Sequence, residues 1–219
     1  MIPSFVGRRQ SVIIFLVSFV AFSCACPALN SFASGPDENI ARIQRAYEHI
    51  KDLSGDFVQT SILKDLDRTD IYKGEFFIKP PLRMKWLYKG KAAQEVTING
   101  DTILIYKKED NQAYKGKFDR STYGQTPVAL LSGFGNIGRD FIATGEGNTL
   151  LLKPKEPMGT ITSLKITLSS TGFPIRSFTI HDTYSNVIRI ELKDVKANSG
   201  LKDSLFNLTV PKGANVYEQ

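Results

Sequence analysis

The chain has 219 residues, a formal net charge of +6 at pH 7, two cysteines and two histidines. This length suits a single domain with a sizeable core. The modest positive charge is spread along the chain, which indicates a solvated surface and argues against nucleic-acid binding.

The N-terminal residues have the pattern of an export signal. Arg8 and Arg9 precede an uncharged apolar run at residues 12–22, which is too short and too close to the N-terminus for an ordinary membrane span. Small residues predict cleavage after Ala33, with Ala28 as a second choice. Residues 1–33 would then be a cleaved signal peptide and residues 34–219 a single domain. The leader holds two arginines and no acidic residue, so the charge falls from +6 to +4 on cleavage.

Both cysteines, Cys24 and Cys26, lie in this leader. The mature domain is therefore expected to contain no disulfide. A lipoprotein signal is the alternative, with one of these cysteines lipidated. Against it, the residues before each cysteine lack the Leu that is usual three positions upstream.

A helix is the first element predicted in the mature chain. Asp37 is a candidate N-cap, and Leu53-Ser54-Gly55 is expected to end the helix. Apolar residues recur at helical spacing at Ile40, Ile43, Tyr47 and Ile50.

An aromatic antiparallel meander follows. A strand is predicted over residues 56–62 and a charged hairpin loop over residues 63–70. Three alternating runs between Tyr72 and Tyr106 then place an aromatic set on one face. Asn99-Gly100 between two of these runs predicts a type I′ hairpin turn.

The second half of the chain also has strand patterns. Thr126-Pro127 opens a short predicted helix whose apolar residues are Val128, Leu130 and Leu131. Strands are predicted over residues 112–118, 149–153, 161–168, 175–181, 187–195 and 205–210. Roughly ten antiparallel strands with few helices predict a sandwich, a closed barrel or a curved open sheet, with the helices inside or across the mouth of a curved sheet.

The sequence gives no sign of catalysis. Residues 133–138 match G-x-G-x-x-G but follow a predicted helix and precede short β runs, which favours a glycine loop over a nucleotide site. His49 and His181 have no further histidine or cysteine nearby, and His181-Asp182 is assigned to a turn. We expect no catalytic residue, no metal and no cofactor.

Large apolar side chains are the more informative feature. They can converge on the concave side of one sheet: Phe57, Phe76, Met84, Trp86, Tyr88, Phe178 and Phe206. Each of them alone is best explained as ordinary core. As a set, lightly covered by helices, they suit an apolar ligand.

Several segments resemble one family, the outer-membrane lipoprotein carrier proteins of the LolA type. The resemblance lies in G-E-F-F-I followed by K-P-P-L-R-M-K-W-L-Y, in V-T-I-N-G-D-T-I-L-I-Y, in the helix T-P-V-A-L-L, and in F-N-L-T-V-P-K-G near the C-terminus. It covers almost all of residues 37–219 in the same order.

The resemblance implies a fold and a function. The expected fold is mainly β, an unclosed antiparallel half-barrel of about eleven strands with helices as a lid over an apolar cavity. The implied function is that of a monomeric periplasmic carrier. It would take lipoproteins from an inner-membrane ABC transporter and deliver them to an outer-membrane acceptor, holding their acyl chains in the cavity. By position, the lipid-binding residues would be Phe57, Phe76, Ile78, Met84, Trp86, Tyr88, Val96, Ile98, Leu130, Leu131, Ile166, Phe178, Ile188, Ile190 and Phe206.

Two positions depart from the family pattern. Pro80 stands where many members have an Arg that latches the lid helices, so that latch is expected to be absent. Ser185 replaces a glycine in the turn after Asp182, where Asn186 is a candidate for the left-handed conformation. The alternative function is a related half-barrel that does not shuttle, either an outer-membrane-anchored acceptor or a lipid-sensing module. An esterase is a weaker candidate, because no nucleophile–base pair is visible.

Overall fold

A computed structural model describes residues 35–118 and 137–218, all within one compact unit. These residues form two α-helices, twelve β-strands and two short 3-10 helices. The helices are α1 (Pro36–Glu48) and α2 (Ile137–Asp140), and the 3-10 helices are Lys64–Leu66 and Asp203–Phe206. The strands are β1 (Leu53–Leu63), β2 (Arg68–Lys79), β3 (Arg83–Lys89), β4 (Gln94–Asn99), β5 (Thr102–Lys107), β6 (Gln112–Lys117), β7 (Phe141–Thr144), β8 (Thr149–Pro154), β9 (Ile161–Leu168), β10 (Ile175–Asp182), β11 (Val187–Ala197) and β12 (Asn215–Glu218).

All twelve strands belong to one sheet, in the order β12-β6-β5-β4-β3-β2-β1-β11-β10-β9-β8-β7. Two antiparallel meanders, β2 to β6 and β7 to β11, are joined through β1, which pairs with both β2 and β11. Between the described strands, no pairing connects the two edges, β7 and β12, so the predicted unclosed sheet is confirmed. The twelfth strand was not predicted, and it is parallel to its neighbour β6.

One face of the sheet is apolar and the other largely polar, because alternate residues of a strand point to opposite faces. Inward-facing residues from β4 and β5 and from β7 and β8 belong to a single buried cluster. Strands near opposite edges can share one core only if the sheet curves, and α1 lies across the concave side with Ile43 fully buried in this cluster. The amphipathic β11 predicted from sequence is confirmed, with Ile190 and Leu192 buried and Arg189 exposed.

Two glycines make room for aromatic rings at the centre of the sheet. Across β1 and β2, Gly55 pairs with Phe76 and Phe57 pairs with Gly74. A Cβ on Gly74 would lie 2.6 Å from the Phe57 ring and 1.9 Å from the Leu87 carbonyl oxygen. Each phenyl ring therefore covers the backbone of the glycine opposite, which fixes the register of the two strands.

A buried carboxylate attaches the segment after β11 to the start of β1. Asp52 is 3 % exposed, and its side chain accepts hydrogen bonds from the Ser199 amide (2.7 Å) and hydroxyl (3.0 Å) and from the Gly200 (2.9 Å) and Leu201 (3.1 Å) amides. Burial raises the pKa of Asp52, but these hydrogen bonds outweigh it and hold the pKa below its ordinary value.

This attachment directs the chain over the outer face of the sheet. The 3-10 helix Asp203–Phe206 contacts β3 and β4, and Asp203 forms ion pairs with Lys79 and Arg83. Both basic residues alternate with inward-facing Ile78 and Met84, so they project from the outer face. Hydrogen bonds from Lys79 and then Arg83 lower the pKa of Asp203.

Several predicted boundaries are wrong. The helix begins at Pro36 with Gly35 as N-cap, so Asp37 lies inside its first turn and makes no capping hydrogen bond. It ends at Glu48, and Leu53-Ser54-Gly55 belongs to β1 instead. The loop predicted over residues 63–70 is shorter than expected and consists of the 3-10 helix Lys64–Leu66 and Asp67. Residues 205–210 were predicted to form a strand and do not.

Two turns also differ from expectation. Asn99 pairs with Thr102, so the turn is centred on Gly100-Asp101, and only Gly100 has a positive φ (64°). That pattern matches type II′, which places glycine first, and not the predicted type I′. His181 and Asp182 were expected in a turn but are the last two residues of β10. The turn follows them, and Asp182 accepts hydrogen bonds from the Tyr184 and Asn186 amides. Ser185 itself takes the left-handed conformation (φ 61°) that was expected of Asn186.

Some expectations concern residues outside the described ranges. These are the leader with its cysteines and cleavage site, the helix beginning at Pro127 with Leu130 and Leu131, and most of the glycine loop at residues 133–138.

Candidate functional site

Stacked aromatic rings form the centre of the concave face. Trp86 stacks on Phe57 with ring centroids 4.3 Å apart and contacts Phe76 at 5.5 Å. Tyr88 meets Phe57 edge-on at 5.2 Å. These arrangements are favourable for aromatic pairs and immobilise the rings.

The sheet brings together nearly all the predicted lining residues that the structure describes. Nine of them are buried members of the concave-face cluster: Phe57, Phe76, Ile78, Met84, Trp86, Ile98, Ile166, Phe178 and Ile190. Three more are partly buried and pack against it: Tyr88, Val96 and Ile188.

Phe206 is separated from this set. Its side chain is fully buried, yet it is not a member of the concave-face cluster and lies in the 3-10 helix on the outer face. The prediction failed because residues 205–210 alternate like a strand without being one. We therefore remove Phe206 from the candidate lining.

Among the described residues, the concave face is covered by residues of α1 and α2 and by Phe118, which directly follows β6. Ile43 of α1, Ile137 of α2 and Phe118 after β6 are buried in the cluster, and Ile40 and Tyr47 pack against it. Tyr47 also contacts the Phe173 ring at 5.9 Å, and burial raises its pKa far above the ordinary value.

A small apolar cavity lies where the end of α1 meets the β2–β3 turn. Its volume is about 50 Å³, and Tyr47, Ile50 and Pro80 are among its walls. Ligand sites usually enclose several hundred Å³. This end of the interior is therefore closed in the structure, and Pro80 is part of that closure.

Two polar side chains attach α1 to the loops of the opposite half of the sheet. The Asn39 amide donates to the Gly147 carbonyl (2.7 Å), and the Arg42 guanidinium donates to the Ser169 carbonyl (2.6 Å). They lie at a polar cleft of about 550 Å³ that Arg176 also lines. Sequence reasoning missed both contacts, because their acceptors are backbone carbonyls in loops distant along the chain.

The inner face of β1 becomes polar toward the β1–β2 hairpin. Gln59 and Ser61 point inward and are 8 % and 7 % exposed. The Gln59 amide donates to the Ser61 hydroxyl (3.0 Å), and the Tyr88 hydroxyl donates to the Gln59 side-chain carbonyl (3.1 Å). We refer to Gln59, Ser61, Tyr88 and the Trp86 indole N–H as the inner polar cluster.

Within this cluster the Trp86 indole N–H has no hydrogen-bond acceptor among the described residues. Burial raises the pKa of Tyr88 well above its ordinary value, and the Trp86 side chain partly offsets that rise. Trp86 and Tyr88 lie two residues apart on the same face of β3, and both rings contact Phe57.

Other kinds of site are not found in the described ranges. Residues 35–118 and 137–218 contain no group of three or more His, Cys, Asp or Glu side chains that could hold a metal ion. In the same ranges, no helix is both long and apolar enough to cross a membrane.

Comparisons with related sequences and with family models point to one family. Two relatives are each described as an outer-membrane lipoprotein carrier protein. That of Cupriavidus pinatubonensis is 27 % identical over 207 residues, which covers 89 % of this chain and 96 % of the relative. That of Halorhodospira halophila is 25 % identical over 192 residues, covering 87 % and 89 %.

A solved structure shares the fold. An uncharacterized conserved protein from Thermus thermophilus superimposes with a TM-score of 0.54 at 11 % identity, covering 84 % of this chain and 98 % of that one. The family model described as outer membrane lipoprotein carrier protein LolA matches residues 48–209. The chain therefore belongs to the LolA family.

Proposed function

We propose that this protein is a periplasmic lipoprotein carrier that holds the acyl chains of its cargo against the concave face of the sheet. The observation that carries the proposal is an apolar interior, lined by rings and branched chains, beneath a helix that Asn39 and Arg42 attach to the loops at Gly147 and Ser169. Family membership supports it independently. In this scheme the cargo comes from an inner-membrane ABC transporter and passes to an outer-membrane acceptor.

The energetics favour a carrier over free diffusion of the cargo. At ~0.8 kcal/mol per methylene, an anchor with about 45 methylenes would cost on the order of 35 kcal/mol to leave exposed to water. The described side chains of the concave face are buried against one another and against α1, so incoming acyl chains replace these internal contacts. Net affinity then stays moderate, which permits delivery.

Cargo binding is tested through Trp86, the only tryptophan in the chain. Its ring is fully buried between Phe57 and Phe76, so entry of acyl chains should shift or quench its emission. We expect a saturable change with triacylated lipoprotein and none with the same lipoprotein lacking its acyl chains. Equal responses to both, or no response together with no co-purification, would contradict the proposal.

Opening of the lid is expected to depend on Arg42. Arg42→Ala removes a charge-assisted hydrogen bond worth about 1.5 kcal/mol, so the population with α1 displaced should rise roughly tenfold. A hydrophobic dye should accordingly bind the ligand-free variant more strongly than the parent protein.

Two further variants are compared with Arg42→Ala in the same dye-binding measurement, one as a control and one with the opposite expected effect. Arg45→Ala changes an exposed residue of the same helix and should leave dye binding unchanged. Pro80→Arg, which restores the residue common in the family, should reduce dye binding. If Arg42→Ala and Arg45→Ala behave alike, the hydrogen bond to Ser169 does not control the lid.

We further propose that residues 1–33 are a cleaved signal peptide, so that the mature protein begins at Ser34. Intact-mass measurement of protein purified from its native host should give the mass of residues 34–219 without modification. A diacylglycerol-modified Cys24 or Cys26 would instead indicate a membrane-anchored acceptor.

A further inference from the structure

The inner polar cluster is unexpected in an interior otherwise built of rings and branched side chains. Gln59 and Ser61 occupy inward positions of β1 that continue directly from Phe57. Burying an amide or a hydroxyl costs free energy unless its hydrogen bonds are satisfied, and apolar residues would avoid that cost. The cluster therefore calls for an explanation beyond packing.

After the hydrogen bonds within the cluster are formed, some of its donor hydrogens have no described acceptor. Tyr88 donates to the Gln59 carbonyl and Gln59 donates one N–H to Ser61. The side-chain hydrogen bonds among the described residues use one N–H of the Gln59 amide and give no acceptor to its second N–H or to the Ser61 hydroxyl hydrogen. The Trp86 indole N–H is fully buried and has no acceptor among the described residues. The Gln59 amide carries two donor hydrogens, the Ser61 hydroxyl one and the Trp86 indole one. One Gln59 hydrogen is already bonded to Ser61, so three donors remain available.

A site with surplus donors suits a ligand that supplies acceptors and needs to donate nothing. Carbonyl oxygens of ester and amide groups have this property, whereas hydrocarbon has no acceptor. Acyl chains are attached to glycerol through esters and to amines through amides. A carbonyl at the cluster would leave its hydrocarbon free to run along the adjoining rings of Phe57, Trp86 and Phe76.

We propose that the inner polar cluster binds the carbonyl oxygens that link acyl chains to the cargo, so that the protein recognises acylated groups and not hydrocarbon alone. The inference rests on the proposed carrier function and adds to it a chemical class of ligand. Trp86 then contributes in two ways: its ring packs against the acyl chains, and its indole N–H donates a hydrogen bond to a carbonyl oxygen.

The test compares two ligands that differ only in the carbonyl. Monomyristoylglycerol carries an ester, and glycerol tetradecyl ether has the same chain without the carbonyl oxygen. Isothermal titration of the mature protein should show about fivefold tighter binding of the ester, the size of one or two buried hydrogen bonds. Trp86→Phe, which keeps an aromatic ring, and Ser61→Ala should each bring the two affinities closer together.

Phe178→Leu is the matched control, because it trims apolar contact on β10, separated from Gln59 by Ile190, and changes no polar group. It should weaken binding of both ligands to the same extent and keep the preference for the ester. Ser61→Ala is a mild change that tests the proposal even if Trp86→Phe fails to fold. Equal binding of ester and ether by the parent protein would overturn this inference alone, and so would an undiminished preference in both cluster variants. Binding of neither ligand would overturn the proposed acyl-chain site as well.

Discussion

Replacing Ile190 with Glu is expected to abolish cargo uptake. Ile190 is fully buried at the centre of the concave face, between Gln59 of β1 and Phe178 of β10. An ionised carboxylate there would face acyl chains with no basic side chain to balance its charge, at a cost of several kcal/mol. We expect affinity for acylated lipoprotein to fall by a hundredfold or more, roughly 3 kcal/mol.

The neighbouring position provides the control for this effect. Arg189 projects from the outer face beside Glu191, so Arg189→Glu introduces the same charged group one residue away, outside the interior. That variant should take up cargo almost as the parent does. If the two variants lose uptake equally, the concave face has no special part in binding.

Loss of folding is the competing explanation, and a second inward position separates the two. Ile188 lies on the same face but is only partly buried, so it should tolerate a charge with less loss of stability. Ile188→Glu should fold, as judged by circular dichroism and thermal unfolding, and still bind cargo poorly. A folded Ile188→Glu with normal uptake would show that this end of β11 does not contact the chains.

Replacing Asp52 with Asn should cost about 3 kcal/mol of stability at neutral pH, because a buried carboxylate that accepts from three backbone amides and a hydroxyl is lost. One amide group cannot accept all of these hydrogen bonds, and its own N–H hydrogens would face other donors. Denaturant unfolding measures the difference. Asp56→Asn, the same change at a β1 position where no comparable hydrogen bonds are described, should have little effect.

The Asp52 contribution should also depend on pH in a defined direction. The folded-state pKa is lower than the unfolded one, so the stabilisation is complete above the unfolded pKa of about 3.9 and is lost as pH falls through the folded pKa. The stability gap between the parent protein and Asp52→Asn should therefore narrow below about pH 4. A gap that stayed constant down to acid unfolding would mean that the carboxylate charge is not what stabilises this junction.

The sequence allowed the strands and their faces to be predicted well where a clear period of two persisted. The Met84, Trp86 and Tyr88 alternation and the Ile188, Ile190 and Leu192 alternation both hold in the structure. Each of these strands has one face against the core, and burial of that face imposes the period directly.

The errors arose where non-local contacts decide local structure. Gly55 was assigned to the end of a helix because glycine often ends helices, yet it lies in β1 opposite Phe76. Phe206 alternates with Leu208 and Val210 as in a strand, but the hydrogen bonds of Asp52 and the ion pairs of Asp203 place this segment on the outer face. Neither set of partners is close in sequence, so no periodic pattern could reveal them.

The inner polar cluster and the attachments of α1 were missed for a related reason. Gln59 and Ser61 look like ordinary polar positions in a half-exposed strand, and only the curvature of the sheet encloses them. Asn39 and Arg42 look like the solvated face of an amphipathic helix. Their acceptors, backbone carbonyls at Gly147 and Ser169, leave no trace in the side-chain sequence.

The position of β1 between β2 and β11 has a consequence for how quickly this chain reaches its native state. Each meander contains only pairings between successive strands, which need short loops and form readily. The β1–β11 pairing joins two strands that are neighbours in the sheet but lie near opposite ends of the amino-acid sequence of the domain. Forming it therefore requires closure of a loop that contains most of the domain's residues. Assembly of the concave face should therefore be a late kinetic step that follows formation of the two halves. Until that step, the rings of Phe57 and Trp86 lack their final cover, and the chain passes through a period in which its apolar surface is open to other molecules.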